Sequence, residues 1–312
     1  MSSMSDSSSV ERKATSDVIG PLTTVDGARL HIEDWGEGPS VVFTHGWTAG
    51  WEMWEYQMTA LADQGLRCVG VDRRGCGRST PGRAGFGYDQ LADDLATVLE
   101  QLDLREVTLV THSMAAGEAV RMIARHGPDR LARVALVSPT TPRLLQAPDN
   151  PYGIPQDVFD QTIAELTADK PAFILAAAPA FFGGPEAVSD ELMRWGVGLA
   201  QRASLRTSIE LTLTNSETDA RRDLVTVTVP TLVIHGDADV SAPLESCGRP
   251  TAAGITGSTL EVYEGGPHGL PLSRSHKDRL TRDLLSFVGI ATEPGLPATR
   301  VPSRIPARAG AD

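Results

Sequence analysis

Short apolar runs alternate with amphipathic stretches along most of this chain. Val41-Val42-Phe43-Thr44, Cys68-Val69-Gly70-Val71, Val107 to Thr111, Val134 to Val137, Val229 to Ile234 and Leu260 to Tyr263 are β-branched or apolar runs of strand length. Between them, Trp51 to Ala62 and Tyr88 to Leu102 carry helical spacing, the second with Leu91, Leu95, Val98 and Leu99 on one face. Further helices are predicted from Met114 to about His126, around Leu244 to Ala253, and from His276 to Phe287. Leu22 to Val25, Asp26-Gly27 and Ala28 to Trp35 read as a β-hairpin whose turn is Asp-Gly.

Strands that are apolar throughout belong in a sheet covered on both faces. The predicted fold is therefore α/β, doubly wound, with a mainly parallel sheet. The alternation lapses between Thr140 and Asp219, where Pro-rich turns lead into helical segments at Val158–Ala168, Ala172–Phe182, Ala187–Arg202 and Leu205–Asn215. That stretch reads as a helical cap, 140–219, inserted between two halves of a core formed by 17–139 and 220–290. Residues 1–16 and 291–312 are polar or Pro/Ala/Arg-rich and are expected to be disordered tails.

Composition adds exclusions. Of 312 residues, 41% are hydrophobic and 22% charged, ordinary for a globular protein, and the net charge is −12. An acidic chain is a poor partner for nucleic acid or an anionic membrane. No apolar run has the length of a membrane span, and the Ser-rich start lacks the basic and apolar regions of a signal peptide. Three cysteines, Cys68, Cys76 and Cys247, have no metal-ligand spacing and cannot all pair. A reduced, cytoplasmic protein is expected, and a homo-oligomer is left open.

The candidate chemistry sits at strand ends, where open parallel sheets place their sites. The Val107 strand stops at His112-Ser113-Met114, and small residues then open a helix. This strand–turn–helix context suits a serine nucleophile, although Thr111 and Ala115 stand where the elbow motif usually has glycine. A serine hydroxyl needs an imidazole to take its proton and a carboxylate to hold that imidazole. His268 follows a later strand in a Gly-rich loop, and Asp237 and Asp239 follow another. The order Ser, acid, His fits a hydrolase of this architecture. The amide of Met114 is one candidate oxyanion donor. That of Trp47, after Gly46 in the loop following Val41–Thr44, is the second. Asp72 to Ser79 reads as a supporting loop, and His45 as a group that fixes the Trp47 loop.

The chain resembles the α/β-hydrolase fold, and particularly the cofactor-free (non-haem) haloperoxidase/perhydrolase and arylesterase group. The resemblance rests on His45-Gly46-Trp47, Asp72-Arg73-Arg74-Gly75-x-Gly77-Arg78-Ser79, His112-Ser113-Met114, Asn150-Pro151-x-Gly153-x-Pro155, His235-Gly236-Asp237-x-Asp239 and Gly266-Pro267-His268-Gly269-Leu270. It covers about residues 20–290. It implies Ser113 as nucleophile, Asp239 as acid, His268 as base, oxyanion amides from Trp47 and Met114, and no metal or haem.

The expected activity is cleavage of small to medium carboxylic esters or lactones through an acyl-enzyme, with perhydrolysis and halide oxidation as a side activity. An amidase, a lactamase or a tailoring hydrolase of secondary metabolism is the alternative enzyme. A hydrolase-fold binding or signalling protein with negligible turnover is the alternative of another class. Relatives of the dehalogenase and epoxide-hydrolase type use aspartate at the elbow, where this chain has serine. The predicted apolar pocket draws on Trp47, Met114, Ile154, Phe159, Phe181, Phe182 and Trp195.

Overall fold

The computed structural model describes residues 20–184 and 187–291. The tails expected at 1–16 and 291–312 lie outside the described residues, save Ala291. Strands β1 (Leu22–Thr23) and β2 (Arg29–Leu30) pair antiparallel around a turn in which Gly27 takes a positive φ of 82°. The other strands are β3 (Ile32–Trp35), β4 (Ser40–Thr44), β5 (Arg67–Val71), β6 (Val107–His112), β7 (Leu131–Val137), β8 (Thr231–Gly236) and β9 (Thr259–Tyr263). They form one sheet in the order β3-β5-β4-β6-β7-β8-β9, parallel except where β3 joins β5.

The apolar runs explain why this sheet has two covered faces. Alternate side chains of a strand point to opposite sides, and the core divides accordingly. Val42, Leu109, Val134, Leu136 and Val233 pack on one side with α2 (Tyr88–Gln101) and α3 (Ala115–His126). Val41, Phe43, Val110, Ala135, Val137 and Ile234 pack on the other with α1 (Glu55–Asp63) and the closing helix, which spans Lys277–Phe287.

Between β7 and β8 stand α4 (Gln156–Phe182), α5 (Asp190–Gln201), α6 (Leu205–Glu217) and the short α7 (Arg221–Leu224). A further short helix, α8 (Gly248–Gly254), follows β8, and the Lys277–Phe287 helix is α9. The two helices predicted at 158–168 and 172–182 run on as α4, broken only at Asp169, whose φ/ψ of −158°/83° is not helical. Pro171 cannot donate to the helix ladder, and Asp169 Oδ1 instead accepts the amide of Ala172 at 3.0 Å.

Two other elements differ from the sequence pattern because tertiary bonds intervene. The helix expected from Trp51 begins as a 3-10 turn, Trp51–Trp54. There Asp72 Oδ1 holds the Trp51 amide at 2.8 Å, and the Trp54 indole donates to Thr44 O at 3.1 Å. α8 starts four residues later than the spacing suggests, after hydrogen-bonded turns at Pro243.

Two loops at the carboxyl edge of the sheet meet with no side chain between them. A Cβ on Gly236, at the end of β8, would stand 1.9 Å from Gly266 O, in the loop after β9. This contact sets the spacing of the segments that carry Asp239 and His268. Gly236→Ala is expected to destabilise the protein by about 1–3 kcal/mol or more, read as a lower urea midpoint at unchanged slope.

Candidate active site

Ser113 occupies the sharp turn between β6 and α3 with a left-handed φ of 58°, and is buried. A non-glycine residue held there costs on the order of 1–3 kcal/mol, so the surrounding bonds must enforce it. They do. Its amide donates to Val137 O at 3.0 Å, and its carbonyl accepts from Ala116 N at 3.1 Å and Thr140 N at 3.4 Å.

The residues at the usual glycine positions fit without distorting this turn. Thr111 is fully buried and its hydroxyl donates to Ala135 O on the neighbouring strand at 3.4 Å, so it adds no polar group to the site. Ala115 is fully buried as well. The tight approach falls on Gly117 instead, where a Cβ would meet the Tyr88 ring at 2.5 Å.

The structure brings Ser113, His268 and Asp239 together. His268 Nε2 lies 2.9 Å from Ser113 Oγ, and His268 Nδ1 lies 2.6 Å from Asp239 Oδ2. Asp239 Oδ1 accepts the amides of Ser241 at 2.9 Å and Ala242 at 2.8 Å. Burial pushes the Asp239 carboxyl up, but His268 and a second imidazole, His235, outweigh it and hold it below the usual carboxylate range. Asp237 is spent elsewhere, accepting the amide of Gly265 at 2.7 Å. It braces the histidine loop from the outside.

Two further histidines position the first. His112, fully buried among the rings of Trp54, Phe181 and His268, is pushed by burial and by His268 down to about 3, and so is neutral. Its Nε2–H donates to His268 O at 2.9 Å. His235 Nε2 donates to Ala242 O at 2.7 Å and lies 3.3 Å from Asp239 Oδ2. Sequence reasoning gave His235 no role. Its place at the end of β8, four residues before Asp239, was the available signal.

The loop His45-Gly46-Trp47 is held by one buried guanidinium. Arg73 donates to His45 O at 2.5 Å, Gly46 O at 3.2 Å and Trp47 O at 2.6 Å, while its Nε pairs with Glu118 of α3. His45, kept neutral chiefly by burial, accepts the Arg73 amide on Nε2 at 2.9 Å and donates from Nδ1 to Gly46 O at 2.7 Å. Gly46 is required because a Cβ there would stand 2.5 Å from His112 Nδ1 and 3.2 Å from Ser113 Cβ. Glu118 was missed in the sequence, although an acid in the apolar run Ala115 to Val120 is the mark of a buried pair.

The clamp also aims backbone donors. In a trans peptide the N–H points away from the C=O of the same unit. Gly46 O is taken by Arg73 and His45, so the Trp47 N–H faces the other way. Ser113 O is taken by Ala116 and Thr140, so the Met114 N–H does likewise. Neither amide donates to another group among the described residues.

Ser113 and His268 open into a cavity of about 390 Å³. Trp47, Ile154, Phe159, Phe181 and Phe182 line it, with Leu144, Ile174, Val240 and Leu272, which the sequence did not single out. Two expectations are corrected. The Met114 side chain is fully buried beneath the elbow among Cys76, Phe86, Tyr88 and Leu211, because the helix start turns it inward. Trp195 packs within the apolar layer of α4 and α5 and is absent from the wall. Cys76 is buried too, which pushes its thiol up to about 12 and leaves it a packing residue.

Arg73→Met strands the Glu118 carboxylate in the interior and is expected to cost about 3–5 kcal/mol. Adding Glu118→Leu should recover the part due to the stranded carboxylate and leave the cost of the loop carbonyls that Arg73 no longer meets. Equilibrium urea unfolding of the single and double variants reads both effects.

Among the described residues no helix is long and apolar enough to cross a membrane, and no group of three or more His, Cys, Asp or Glu side chains could hold a metal ion. A family profile described as the alpha/beta hydrolase fold matches residues 39–274. The non-heme chloroperoxidase CPO-A1 of Kitasatospora aureofaciens is 38% identical over 271 residues, covering 85% of this chain and 98% of that protein. The bifunctional esterase/perhydrolase DCH of Acinetobacter calcoaceticus is 33% identical over 278 residues, covering 86% and 99%. The solved esterase of Exiguobacterium antarcticum superposes with a TM-score of 0.83 at 33% identity, covering 86% of this chain and 98% of that one. With a doubly wound sheet, a strained serine elbow and these relatives, the chain belongs to the α/β-hydrolase family, near its non-haem haloperoxidases.

Proposed function

We propose that this protein is a serine hydrolase that cleaves small to medium carboxylic esters or lactones through an acyl-enzyme. The observation that carries the reading is the unbroken relay Ser113 Oγ–His268 Nε2–His268 Nδ1–Asp239 Oδ2, at 2.9 and 2.6 Å, opening into an apolar cavity beside two unspent amides.

Neutral His268 takes the Ser113 proton as Oγ attacks the ester carbonyl, and the C=O electron pair becomes an oxyanion. The Trp47 and Met114 amides receive that charge, each such donor typically worth about 3–4 kcal/mol. Asp239 holds Nδ1–H and stabilises the imidazolium. As the tetrahedral centre collapses, the C–O bond to the alcohol breaks and His268 protonates the leaving oxygen. Water then attacks the acyl carbon, giving up its proton to His268. Collapse breaks the bond to Oγ, releases the acid and returns the proton to Ser113.

Hydrogen peroxide in place of water yields a peracid by the same steps, and the peracid oxidises halide in solution. The haloperoxidase and esterase/perhydrolase names among the relatives support this side activity. Amides demand a better-protonated leaving group from the same base, so amidase activity is the second choice.

A fluorophosphonate probe should label wild type and not Ser113→Ala. Absent labelling favours a binding protein instead, and equal labelling of the two proteins overturns the reading of Ser113 as nucleophile. Asp239→Asn is expected to lower kcat on p-nitrophenyl esters by about 10⁴, since it leaves the imidazole in the wrong tautomer. With peroxide, acetate and bromide, wild type should brominate monochlorodimedone, and the Ser113→Ala protein should not.

A further inference from the structure

The cavity wall is mainly apolar. Among the described residues lining it there is no Asp, Glu, Lys or Arg, and Asn215 is the one side-chain amide. Three of the wall's hydroxyls are committed to protein acceptors, whereas those of Thr48 and Ser241 have no partner among the described residues. Thr162 donates to Val158 O at 2.8 Å, Thr212 to Ser208 O at 2.8 Å, and Thr140 to Asn215 Oδ1 at 2.7 Å.

Asn215 is held in one orientation by its neighbours. Its Oδ1 accepts from Thr140 at 2.7 Å and lies 3.2 Å from the Tyr88 hydroxyl, whose single proton is divided between Oδ1 and Met114 O, so the Thr140 bond sets the orientation of the amide. The Nδ2 end donates to nothing among the described residues, although the residue lines the cavity. Both anchors reach the elbow. The Thr140 amide donates to Ser113 O at 3.4 Å, and the Tyr88 hydroxyl also reaches Met114 O at 3.0 Å. A donor carried by α6 is thereby placed relative to the proposed nucleophile, and it is the one side-chain amide in a mainly apolar chamber.

We propose that Asn215 determines specificity by donating a hydrogen bond from Nδ2 to a second oxygen on the substrate. The site then favours esters and lactones that carry an ether, keto or hydroxyl oxygen in addition to the scissile group. In the free enzyme, water can satisfy Nδ2. An alkyl chain that displaces this water leaves the N–H unpaired, whereas an oxygen-bearing chain of the same length restores the bond. A site built around such a donor discriminates by the unpaired group more than by the gained contact.

The inference rests on the hydrolase reading, and the test separates the two. Two matched pairs place the oxygen on either side of the ester: p-nitrophenyl hexanoate against p-nitrophenyl 3-ethoxypropanoate, and hexyl acetate against 2-propoxyethyl acetate. Each ratio of kcat/KM is corrected for the hydroxide-catalysed rates of the same esters. Wild type should prefer the oxygen-bearing member of at least one pair by about threefold to tenfold. In Asn215→Leu that preference should fall to one or below. Turnover by wild type with no oxygen preference in either pair overturns the specificity proposal and leaves the hydrolase reading standing. A preference that persists in a folded Asn215→Leu protein overturns it too. If that variant fails to fold, Asn215→Asp replaces it, keeping the acceptor that meets Thr140 while removing the Nδ2 donor, and a preference that survives in it overturns the proposal. No turnover of any of the four esters, with no phosphonate labelling, overturns both readings.

Discussion

The Arg73 guanidinium is the constraint on which the site depends. It lies in the interior, where an unpaired charge is prohibitively costly, and it is matched by Glu118 and by three carbonyls from one loop. Because Glu118 belongs to α3 and the carbonyls follow β4, one side chain ties the elbow helix to the loop across from it. Its planar fork suits this work, since several N–H groups are presented in fixed directions. Drawing the carbonyls to one side leaves the Trp47 amide facing the other. The same ion pair thus supports both stability and the direction of a backbone donor.

Close backbone approach supplies the rest of the precision. Gly46 lies against His112 and Ser113, Gly117 against the Tyr88 ring, and Gly236 against Gly266. Each contact forbids a side chain and brings together segments distant in sequence. The elbow does not need glycine at 111 or 115. Thr111 spends its hydroxyl on the adjacent strand, and Ala115 is fully buried without distorting the turn. The strained φ of Ser113 is instead held by hydrogen bonds to Val137, Ala116 and Thr140.

The histidines show how burial divides labour among chemically identical groups. His45 and His112 are fully buried and held neutral, which makes them fixed hydrogen-bonding struts. His268 faces the cavity on one edge and Asp239 on the other, the position from which a proton can be taken and returned. His235 lies 3.3 Å from the same carboxylate and donates to Ala242 O in the loop that caps it. Four imidazoles therefore crowd one region, and only His268 bridges a hydroxyl and a carboxylate.

The sequence by itself determined the doubly wound fold, because period-2 and period-3.6 apolar patterns report which faces must be buried. It also pointed to Ser113, Asp239 and His268 as residues at strand ends, where an open parallel sheet gathers its chemistry. The resemblance names Asp239 over Asp237, while the physical ground lies in tertiary structure: both stand in one loop, and only packing shows that Asp239 Oδ2 faces His268 Nδ1 and Asp237 turns to Gly265. Tertiary structure alone turned Met114 and Trp195 away from the cavity, and exposed Asn215 on its wall. It alone joined Arg73 to Glu118 and His235 to Asp239. Local pattern encodes which side of an element is apolar; which buried polar groups meet depends on how separate elements dock, and no periodicity records that.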